Sequence, residues 1–313
     1  MRARSPLRGS EALLRAAAFA VLLCVPLAGF RAAECAVAPP PAFDGKSLPM
    51  PAGTRVGIAL GSGSMHGLAH IGVLKELEAR GLKVDVVAGT SVGALVGALW
   101  ASGMDADRIA AMSRSGHLQD WGGFAGSWQG LFSSEALRVP LESVFEKRPI
   151  EAWPKRFGAV ATNVANGERR VISTGDGALA VRASTAVPVL YSPVTVKGER
   201  LVDGALVEPV PVIATRELGA NFVIGVDVAY RPYEEVASGM TQYAFQAMHI
   251  LVNSLSGVQM RSADLVIHLN LHHRFVECGN ESLIAAGREA VAAAWPKIAR
   301  AFLKRSQRPA AAR

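Results

Sequence analysis

The segment VDVVAGTSVGALVGALWAS, residues 84–102, contains the pattern that decides the fold. Residues 84–88 are apolar except for Asp85 and predict a short strand, and residues 92–102 predict a helix that ends at Gly103. Between them, Gly89-Thr90-Ser91-Val92-Gly93 has the form G-x-S-x-G at a strand-to-helix turn. The serine of such a turn has strained backbone angles, so the positions two before and two after it require glycine. The segment therefore predicts a nucleophilic Ser91 whose hydroxyl projects above a sheet.

The rest of the chain alternates apolar segments with amphipathic ones, which is typical of a mostly parallel sheet covered by helices on both faces. We expect a three-layer α/β/α fold in one catalytic domain, residues 54–302. The other expected strands are 56–60, 157–163, 169–173, 194–197, 222–228 and 265–269. The other expected helices are 68–80, 135–145, 212–218, 243–260 and 282–304.

The turn after the first expected strand is rich in small residues: Gly61-Ser62-Gly63-Ser64-Met65-His66-Gly67. Such a turn directs backbone N–H groups toward an anion or oxyanion at the start of a helix. A phosphate-binding P-loop is excluded because no lysine precedes the helix. A dinucleotide site is disfavoured because the third glycine comes one residue late and no acid follows the second strand. The third interpretation is an oxyanion hole for acyl transfer.

The sequence contains two kinds of base that are able to activate Ser91. One kind is a histidine late in the chain. The histidine candidates are His268, His272 and His273. The other kind is an aspartate, and Asp203-Gly204-Ala205 follows an apolar pair and predicts a carboxylate at a strand end or turn. A second Asp-Gly-Ala triplet begins at Asp176 and predicts a helix N-cap, so Asp203 is the preferred aspartate.

Taken in order, these motifs resemble those of the bacterial patatin-like phospholipases, and the resemblance covers about residues 55–300. It implies a patatin-like α/β fold and a Ser-Asp dyad that hydrolyses carboxylic esters of lipids or phospholipids, without metal, cofactor or catalytic histidine. The resemblance implies that Ser91 attacks the ester carbonyl and that Asp203 takes the proton of the Ser91 hydroxyl. The backbone N–H groups that would hold the oxyanion are those of Gly61, Ser62, Gly63 and Ser64.

The Gly-rich turn departs from the family pattern at three positions. Ser62 and Ser64 stand where the family usually has glycine, and His66 stands where it has arginine. Serine keeps the backbone N–H donors only where the turn does not require a positive φ. His66 supplies a positive charge only when it is protonated. We therefore expect these differences to change the level and pH profile of activity more than the fold.

Two other functions stay open on the residues alone. The first is an α/β-hydrolase esterase in which a late histidine activates Ser91. The second is a catalytically impaired lipid-binding homologue whose altered Gly-rich turn no longer stabilises an oxyanion. Substitution of Asp203 or of the late histidines separates the two enzymes, and covalent labelling of Ser91 separates both from the third function.

The net charge of +7 suggests nucleic-acid binding, but the distribution of charge argues against it. Residues 1–33 carry five arginines and one glutamate, and residues 297–313 carry six basic residues and no acid. Residues 34–296 carry 22 basic and 25 acidic residues. The charge distribution therefore argues against a nucleic acid, and the family resemblance implies a lipid acyl ester as the partner. No spacing of cysteine and histidine indicates a metal site, and we expect no cofactor.

Residues 1–37 predict a signal peptide or an N-terminal anchor, because arginines precede the apolar run 16–30. The run is short for a membrane span, so we expect an exported protein, periplasmic or secreted, with membrane anchoring as the alternative. Residues 38–53 predict a linker rich in proline and glycine, and residues 303–313 predict a disordered basic tail.

Two segments are candidates for peripheral membrane contact. Residues 121–132 combine two tryptophans and two phenylalanines with several glycines, which is typical of a lid or a lipid-contacting rim. Packing of the same segment on the core is the alternative. The basic residues 297–313 predict a solvated chain end, with contact to anionic lipid headgroups as the alternative.

Overall fold

The computed structural model describes residues 48, 50–114, 123–127, 130–229, 239–269, 271 and 274–307, with side chains except at 123–133, 136, 241 and 274–278. The predicted signal segment 1–37 lies outside the described residues, and so do most of the predicted linker and residues 308–313 of the predicted tail.

The described strands include one sheet of eight. The strands are β1 (Val56–Leu60), β2 (Val86–Thr90), β3 (Gly123–Ser127), β4 (Gly130–Ser133), β5 (Arg156–Asn163), β6 (Arg169–Ile172), β7 (Val194–Val196), β8 (Glu199–Asp203), β9 (Phe222–Asp227) and β10 (Leu265–His268). The order in the large sheet is β10-β9-β1-β2-β5-β8-β7, and β6 pairs with β5. Strands β3 and β4 form a separate antiparallel pair.

The helices alternate with these strands along the chain. They are α1 (Ala69–Ala79), α2 (Val92–Ala101), α3 (Ala106–Arg114), α4 (Arg138–Val144), α5 (Gly177–Ser184), α6 (Val212–Glu217), α7 (Met240–Gln259) and α8 (Arg274–Ser306). Strands β10, β9, β1, β2 and β5 pair in parallel, whereas β6, β7 and β8 pair antiparallel beside β5. The expected mostly parallel sheet is therefore confirmed, with an antiparallel part at one side.

The side chains of β1 show why helices cover both faces of the sheet. Successive residues of a strand point to opposite faces. Ile58 and Leu60 belong to a large apolar cluster that includes residues of α1, α2 and α8. Ala59, which lies between them, belongs to a second cluster with Val212 of α6. Both faces are thus buried under helices, which confirms the three-layer α/β/α fold.

The second strand begins two residues later than the sequence pattern predicts. The backbone of Asp85, just before the strand, bonds to both neighbours: its N–H donates to the carbonyl oxygen of Val56 at 2.8 Å, and its carbonyl oxygen accepts from the N–H of Arg156 at 3.2 Å. Its carboxylate also accepts from the N–H of Val56 at 3.0 Å and supports the start of β1. The strand runs to Thr90, two residues past its expected end, and stops directly before Ser91. An apolar run locates a strand but does not locate its ends.

The predicted disordered tail is wrong at its beginning. Helix α8 continues to Ser306, four residues past the expected domain boundary at residue 302. The rings of Phe302 and Phe222 lie 4.7 Å apart, so the end of the helix is packed against the first residue of β9. In the aromatic segment 121–132 the described backbone belongs to β3 and β4. The side chains of this segment lie outside the description, so a lipid-contacting lid and packing on the core both stay predictions.

Candidate active site

Ser91 lies between the end of β2 and the start of α2, as the sequence predicts. Strands β1 and β2 are parallel neighbours in which Leu60 pairs with Gly89. The Gly-rich turn after β1 and the turn after β2 therefore leave the sheet side by side. This adjacency brings possible oxyanion donors close to the serine.

The backbone of Ser91 has the strained geometry of a nucleophile elbow, with φ 57° and ψ −126°. A Cβ atom at Gly89 would lie 2.3 Å from the carbonyl oxygen of Gly93. A Cβ atom at Gly93 would lie 2.2 Å from the carbonyl oxygen of Leu60. Neither position has room for a side chain, which is the steric reason for the G-x-S-x-G pattern.

Hydrogen bonds from other elements hold the elbow in place. The N–H of Ser91 donates to Oγ of Ser184 at 3.0 Å, and this hydroxyl donates to the carbonyl oxygen of Val160 at 2.5 Å. The hydroxyl of Thr90 donates to the carbonyl oxygen of Glu208 at 2.7 Å. Ser184 is fully buried and is a supporting residue that sequence reasoning did not single out. Its position at the end of α5, on a different element, gives no signal in the sequence.

Asp203 reaches Ser91 because β8 runs antiparallel to β5. Thr90 pairs with Val160 on one side of β5, and Asp203 pairs with Ala161 on the other. The serine after Thr90 and the aspartate at the end of β8 therefore lie at the same level of the sheet. Gly204 is needed beside them, because a Cβ atom there would lie 2.2 Å from the carbonyl oxygen of Val160.

Burial changes the acidity of Asp203. Only 3% of this residue is exposed. Desolvation by burial raises the pKa of Asp203 from 3.8 to about 6, while hydrogen bonds from the Ser91 side chain and from the N–H of Ala205 act in the opposite direction. The structure thus brings Ser91 into hydrogen-bonding contact with a desolvated carboxylate, and these are the two conditions that an aspartate base requires.

The predicted oxyanion hole is wrong at two of its four residues. The N–H of Gly61 donates to the carbonyl oxygen of Val226 at 3.0 Å, and the N–H of Ser62 donates to that of Pro209 at 2.8 Å. These donors are already used, so they are not available to an oxyanion. Within the described part of the chain, the N–H groups of Gly63 and Ser64 have no backbone acceptor.

Gly63 is the N-cap and Ser64 the first residue of a 3-10 helix, Ser64–Leu68, whose leading N–H groups have no acceptor within the helix. A Cβ atom at Gly63 would lie 2.7 Å from Cγ2 of Val228, so this position keeps its glycine for steric reasons. Ser64 has a φ of 50°, a left-handed conformation that favours glycine. Of the two serines that replace glycines, Ser64 is therefore the strained one, at a cost of about 1 kcal/mol.

His70, in α1, holds the Gly-rich turn through a hydrogen bond. Its Nε2 lies 2.8 Å from the carbonyl oxygen of Gly61, and because a carbonyl only accepts, Nε2 carries the proton. Its Nδ1 is buried, and within the described residues it has no hydrogen-bond partner. Burial lowers the pKa of His70 to about 4, so the ring is neutral at physiological pH. His70 is a supporting residue whose role only the fold reveals.

His66 does not replace the fixed positive charge of the family's arginine. Burial lowers the pKa of His66, and the nearby His249 lowers it further, whereas a backbone hydrogen bond with Gly63 raises it. The net shift is downward, so His66 is largely neutral at pH 7. The charge expected at this position is thus absent under neutral conditions.

The late histidines do not supply the base, as far as they are described. His268 lies on β10, three strands away from β2, which is about 14 Å at the usual strand spacing. Its Nδ1 lies 3.6 Å from Asp227 instead. His272 and His273 lie outside the described residues.

Asp176 is a helix cap, as predicted. Its carboxylate accepts hydrogen bonds from the N–H groups of Ala178 and Leu179, at 2.8 and 3.2 Å, and α5 begins at the next residue. Of the two Asp-Gly-Ala triplets, only the one at Asp203 contacts Ser91.

Metal-binding clusters and membrane-spanning helices are both absent from the residues that the structure describes. No group of three or more histidine, cysteine, aspartate or glutamate side chains is arranged there to hold a metal ion. No helix in those ranges has both the length and the apolar content needed to cross a membrane.

Residues 58–216 match the model of a protein family described as patatin-like phospholipase. The chain belongs to this family. The matched part contains the Gly-rich turn, the elbow and Asp203, which are the elements of the site described above.

Curated relatives are similar to the chain over 56% of its length. Lysophospholipase NTE1 of Coccidioides immitis is 32% identical over 186 residues, which make up 12% of that protein. The patatin-like phospholipase domain-containing protein ZK370.4 of Caenorhabditis elegans is 32% identical over 190 residues, or 14% of its length. The chain thus spans a small part of these relatives. The crystal structure of VipD from Legionella pneumophila has the same fold, with a TM-score of 0.51, 16% identity, and coverage of 86% of this chain and 72% of that one.

Proposed function

We propose that this protein is a serine hydrolase that cleaves carboxylic esters of lipids or phospholipids with Ser91 and Asp203. The observation that carries the proposal is the contact between the strained Ser91 and a buried carboxylate whose pKa is about 6. Two N–H groups of the Gly-rich turn, on Gly63 and Ser64, lie at the neighbouring strand end and lack a backbone acceptor within the described residues. Membership of the patatin-like family supports lipids as the substrate class.

In the proposed acylation step, Asp203 takes the proton of Ser91 while Oγ forms a bond to the carbonyl carbon of the ester. The electrons of the C=O π bond move to the carbonyl oxygen, and the N–H groups of Gly63 and Ser64 stabilise the resulting oxyanion. When the C=O bond re-forms, the ester C–O bond breaks. Asp203 gives its proton to the departing alkoxide, which leaves as an alcohol, and the acyl group remains on Ser91.

Deacylation repeats the same steps with water. Asp203 takes a proton from a water molecule whose oxygen attacks the acyl carbon, and the oxyanion forms at the same N–H groups. The bond to Ser91 Oγ then breaks, Oγ takes the proton back from Asp203, and a fatty acid is released. The pKa of about 6 suits both directions, because the carboxylate is ionised at pH 7 and is more basic than an ordinary aspartate.

Covalent labelling with a fluorophosphonate and hydrolysis of a soluble p-nitrophenyl ester test the dyad. We expect Ser91→Ala to lose both signals and Asp203→Asn to lower kcat by roughly 10²–10⁴-fold, the usual contribution of a general base. Asp176→Asn is the matched control, because Asp176 begins the other Asp-Gly-Ala triplet and should keep full activity. Full activity of Asp203→Asn, or loss of activity in His268→Ala, would overturn the proposal.

We extend the proposal to phospholipids with one acyl chain, because several curated relatives carry the name lysophospholipase. Release of fatty acid from lysophosphatidylcholine, compared with diacyl phosphatidylcholine, tests this extension. A clear preference for the diacyl lipid would contradict it, and it would leave the Ser-Asp dyad intact.

We also propose that the chain is a bacterial member of the family and is exported. The support is the basic and apolar pattern of residues 1–37, which is typical of a secretory signal. Expression in a bacterium, followed by fractionation and mass spectrometry of the N-terminus, tests export. Retention of the intact chain in the cytoplasm would contradict it.

A further inference from the structure

Helix α7 has an unusual composition for a helix on the outside of a protein. None of its twenty residues, Met240–Gln259, is an aspartate, glutamate, lysine or arginine. Large apolar side chains on it are nevertheless exposed, Met240 at 89% and Leu251 at 69%. An exposed helix normally carries charged residues on its solvent face. The exposed side of α7 therefore needs an explanation other than solubility.

Of the ten exposed residues that the structure describes on α7, seven form a continuous stripe along one side, which we call the α7 stripe, and Gln242, Ala244 and His249 lie outside it. Its members are Met240, Tyr243, Ala247, Ile250, Leu251, Ser254 and Val258. At about 100° per residue, these positions fall within about 100° of the helix circumference. The stripe is an apolar face of the usual width that points away from the core.

The polar groups of the α7 stripe are adapted to an apolar surrounding. The hydroxyl of Ser254 donates to the carbonyl oxygen of Ile250 at 2.8 Å, so it needs no water. The stripe carries no formal charge that would have to be desolvated. Tyr243, in the first turn, has an apolar ring with a polar tip, which suits the boundary between water and hydrocarbon.

Helix α7 lies next to the proposed catalytic residues. Its last residue, Gln259, donates from Nε2 to the carbonyl oxygen of Val207, four residues after Asp203. Close to the middle of the helix, His249 lies near enough to His66 of the Gly-rich turn to lower the pKa of that histidine. Ser256 and the following Met260 are buried, so the C-terminal end of α7 is fixed to the domain. Helix α7 therefore borders the same edge of the sheet as Ser91, and the stripe lies on the side of the helix opposite His249.

We propose that the α7 stripe docks the protein on the uncharged, hydrocarbon part of a phospholipid surface and so presents Ser91 to its substrate. This inference rests on the proposed function, because a lipid ester must reach Ser91 from an aggregate. The absence of charge selects this occupant: a surface recognised by its anionic headgroups would be met by lysine or arginine. Docking consequently depends on apolar contact and is insensitive to salt.

The test is flotation of the full chain with phosphatidylcholine vesicles, for the wild type and for Leu251→Glu. The matched control is Leu303→Glu, since Leu303 is also exposed (47%) and helical but follows Phe302, which packs at the opposite end of β9. All three proteins share residues 1–47, so differences between them report on α7. We expect Leu251→Glu to require at least about tenfold more lipid for half-maximal binding, as for the loss of one buried leucine. Leu303→Glu should bind like the wild type.

Three results would overturn the docking proposal. The first is equal binding of the wild type and Leu251→Glu. The second is binding that needs anionic lipid and disappears in high salt, which would indicate the basic residues 297–313. The third is a dimer in size-exclusion chromatography that Leu251→Glu dissociates, which would make the stripe a contact with a second copy.

Failure of the proposed function gives a different result. In that case fluorophosphonate labelling and hydrolysis of the soluble ester would be absent from every variant, while flotation would still fall in Leu251→Glu. If both proposals hold, Leu251→Glu keeps its kcat on the soluble ester and loses at least about tenfold in activity on vesicles.

Discussion

Replacement of Asp203 by asparagine is expected to lower kcat by roughly 10²–10⁴-fold and to stabilise the fold at neutral pH. The carboxyl is buried, and its pKa is raised from 3.8 to about 6 by the loss of solvent. The folded protein therefore holds the proton of Asp203 more tightly than the unfolded chain does. An asparagine has nearly the same shape and does not ionise. Its amide oxygen still accepts from the N–H of Ala205, which in the wild type donates to the carboxylate of Asp203 at 2.8 Å.

The size and sign of the effect follow from this shift in the pKa of Asp203. A difference of about 2 pKa units corresponds to about 3 kcal/mol. Below about pH 3 the group is protonated in both states and has no effect on the free energy of unfolding. Between about pH 3 and 6 the unfolded chain ionises first, so the wild type loses stability as the pH rises. Above pH 7 the full cost of about 3 kcal/mol is present, and Asp203→Asn is free of it.

Urea unfolding of the wild type and Asp203→Asn at pH 4.0, 5.0 and 7.5 measures this difference. We expect the two proteins to differ by less than about 1 kcal/mol at pH 4.0, and the variant to be more stable by up to about 3 kcal/mol at pH 7.5. Asp176→Asn is the control and should lose up to about 1 kcal/mol, because it weakens a helix cap. A stability difference that does not change with pH, or a variant that is the weaker one at pH 7.5, would refute the reasoning.

Three other predictions follow from the same site. The value of kcat/KM on a soluble ester should rise about tenfold from pH 5 to pH 7 as Asp203 ionises, and a flat profile would contradict its role as base. His70→Leu should lower kcat about tenfold with little change in KM, because the carbonyl of Gly61 loses its donor. His70→Gln keeps a donor and should retain most activity. Equal kinetics of the two variants would contradict this role of His70. Gly93→Ala should cost more than about 3 kcal/mol of unfolding free energy, because its Cβ meets backbone at 2.2 Å. Gly97→Ala on the same helix meets only side chains, at 3.1 Å, and should cost less by urea unfolding.

Much of the fold and part of the site were predictable, because they depend on residues that are close in sequence. The elbow at Ser91 depends on Gly89, which leaves room for the carbonyl oxygen of Gly93 four residues later. The cap at Asp176 uses N–H groups only two and three residues away. The alternation of apolar segments and helices predicts layers for the same local reason, since each element must bury its apolar face.

The direction of the antiparallel strand β8 could not be predicted from residues that are close in sequence. It places Asp203 at the level of Ser91, through a pairing with β5 that involves residues about 40 positions apart. The raised pKa of Asp203 depends on burial by the whole domain, which no short segment determines.

The sequence by itself determined the elbow, the glycines and the existence of a Gly-rich turn, because sterics and backbone angles act within a few residues. Only the tertiary structure decided which N–H groups of that turn remain available, since Gly61 and Ser62 donate to residues that are more than a hundred positions away in sequence. It also decided which face of α7 is exposed. An apolar helix is expected to bury its apolar face, and only its packing beside the site shows that the α7 stripe points outward.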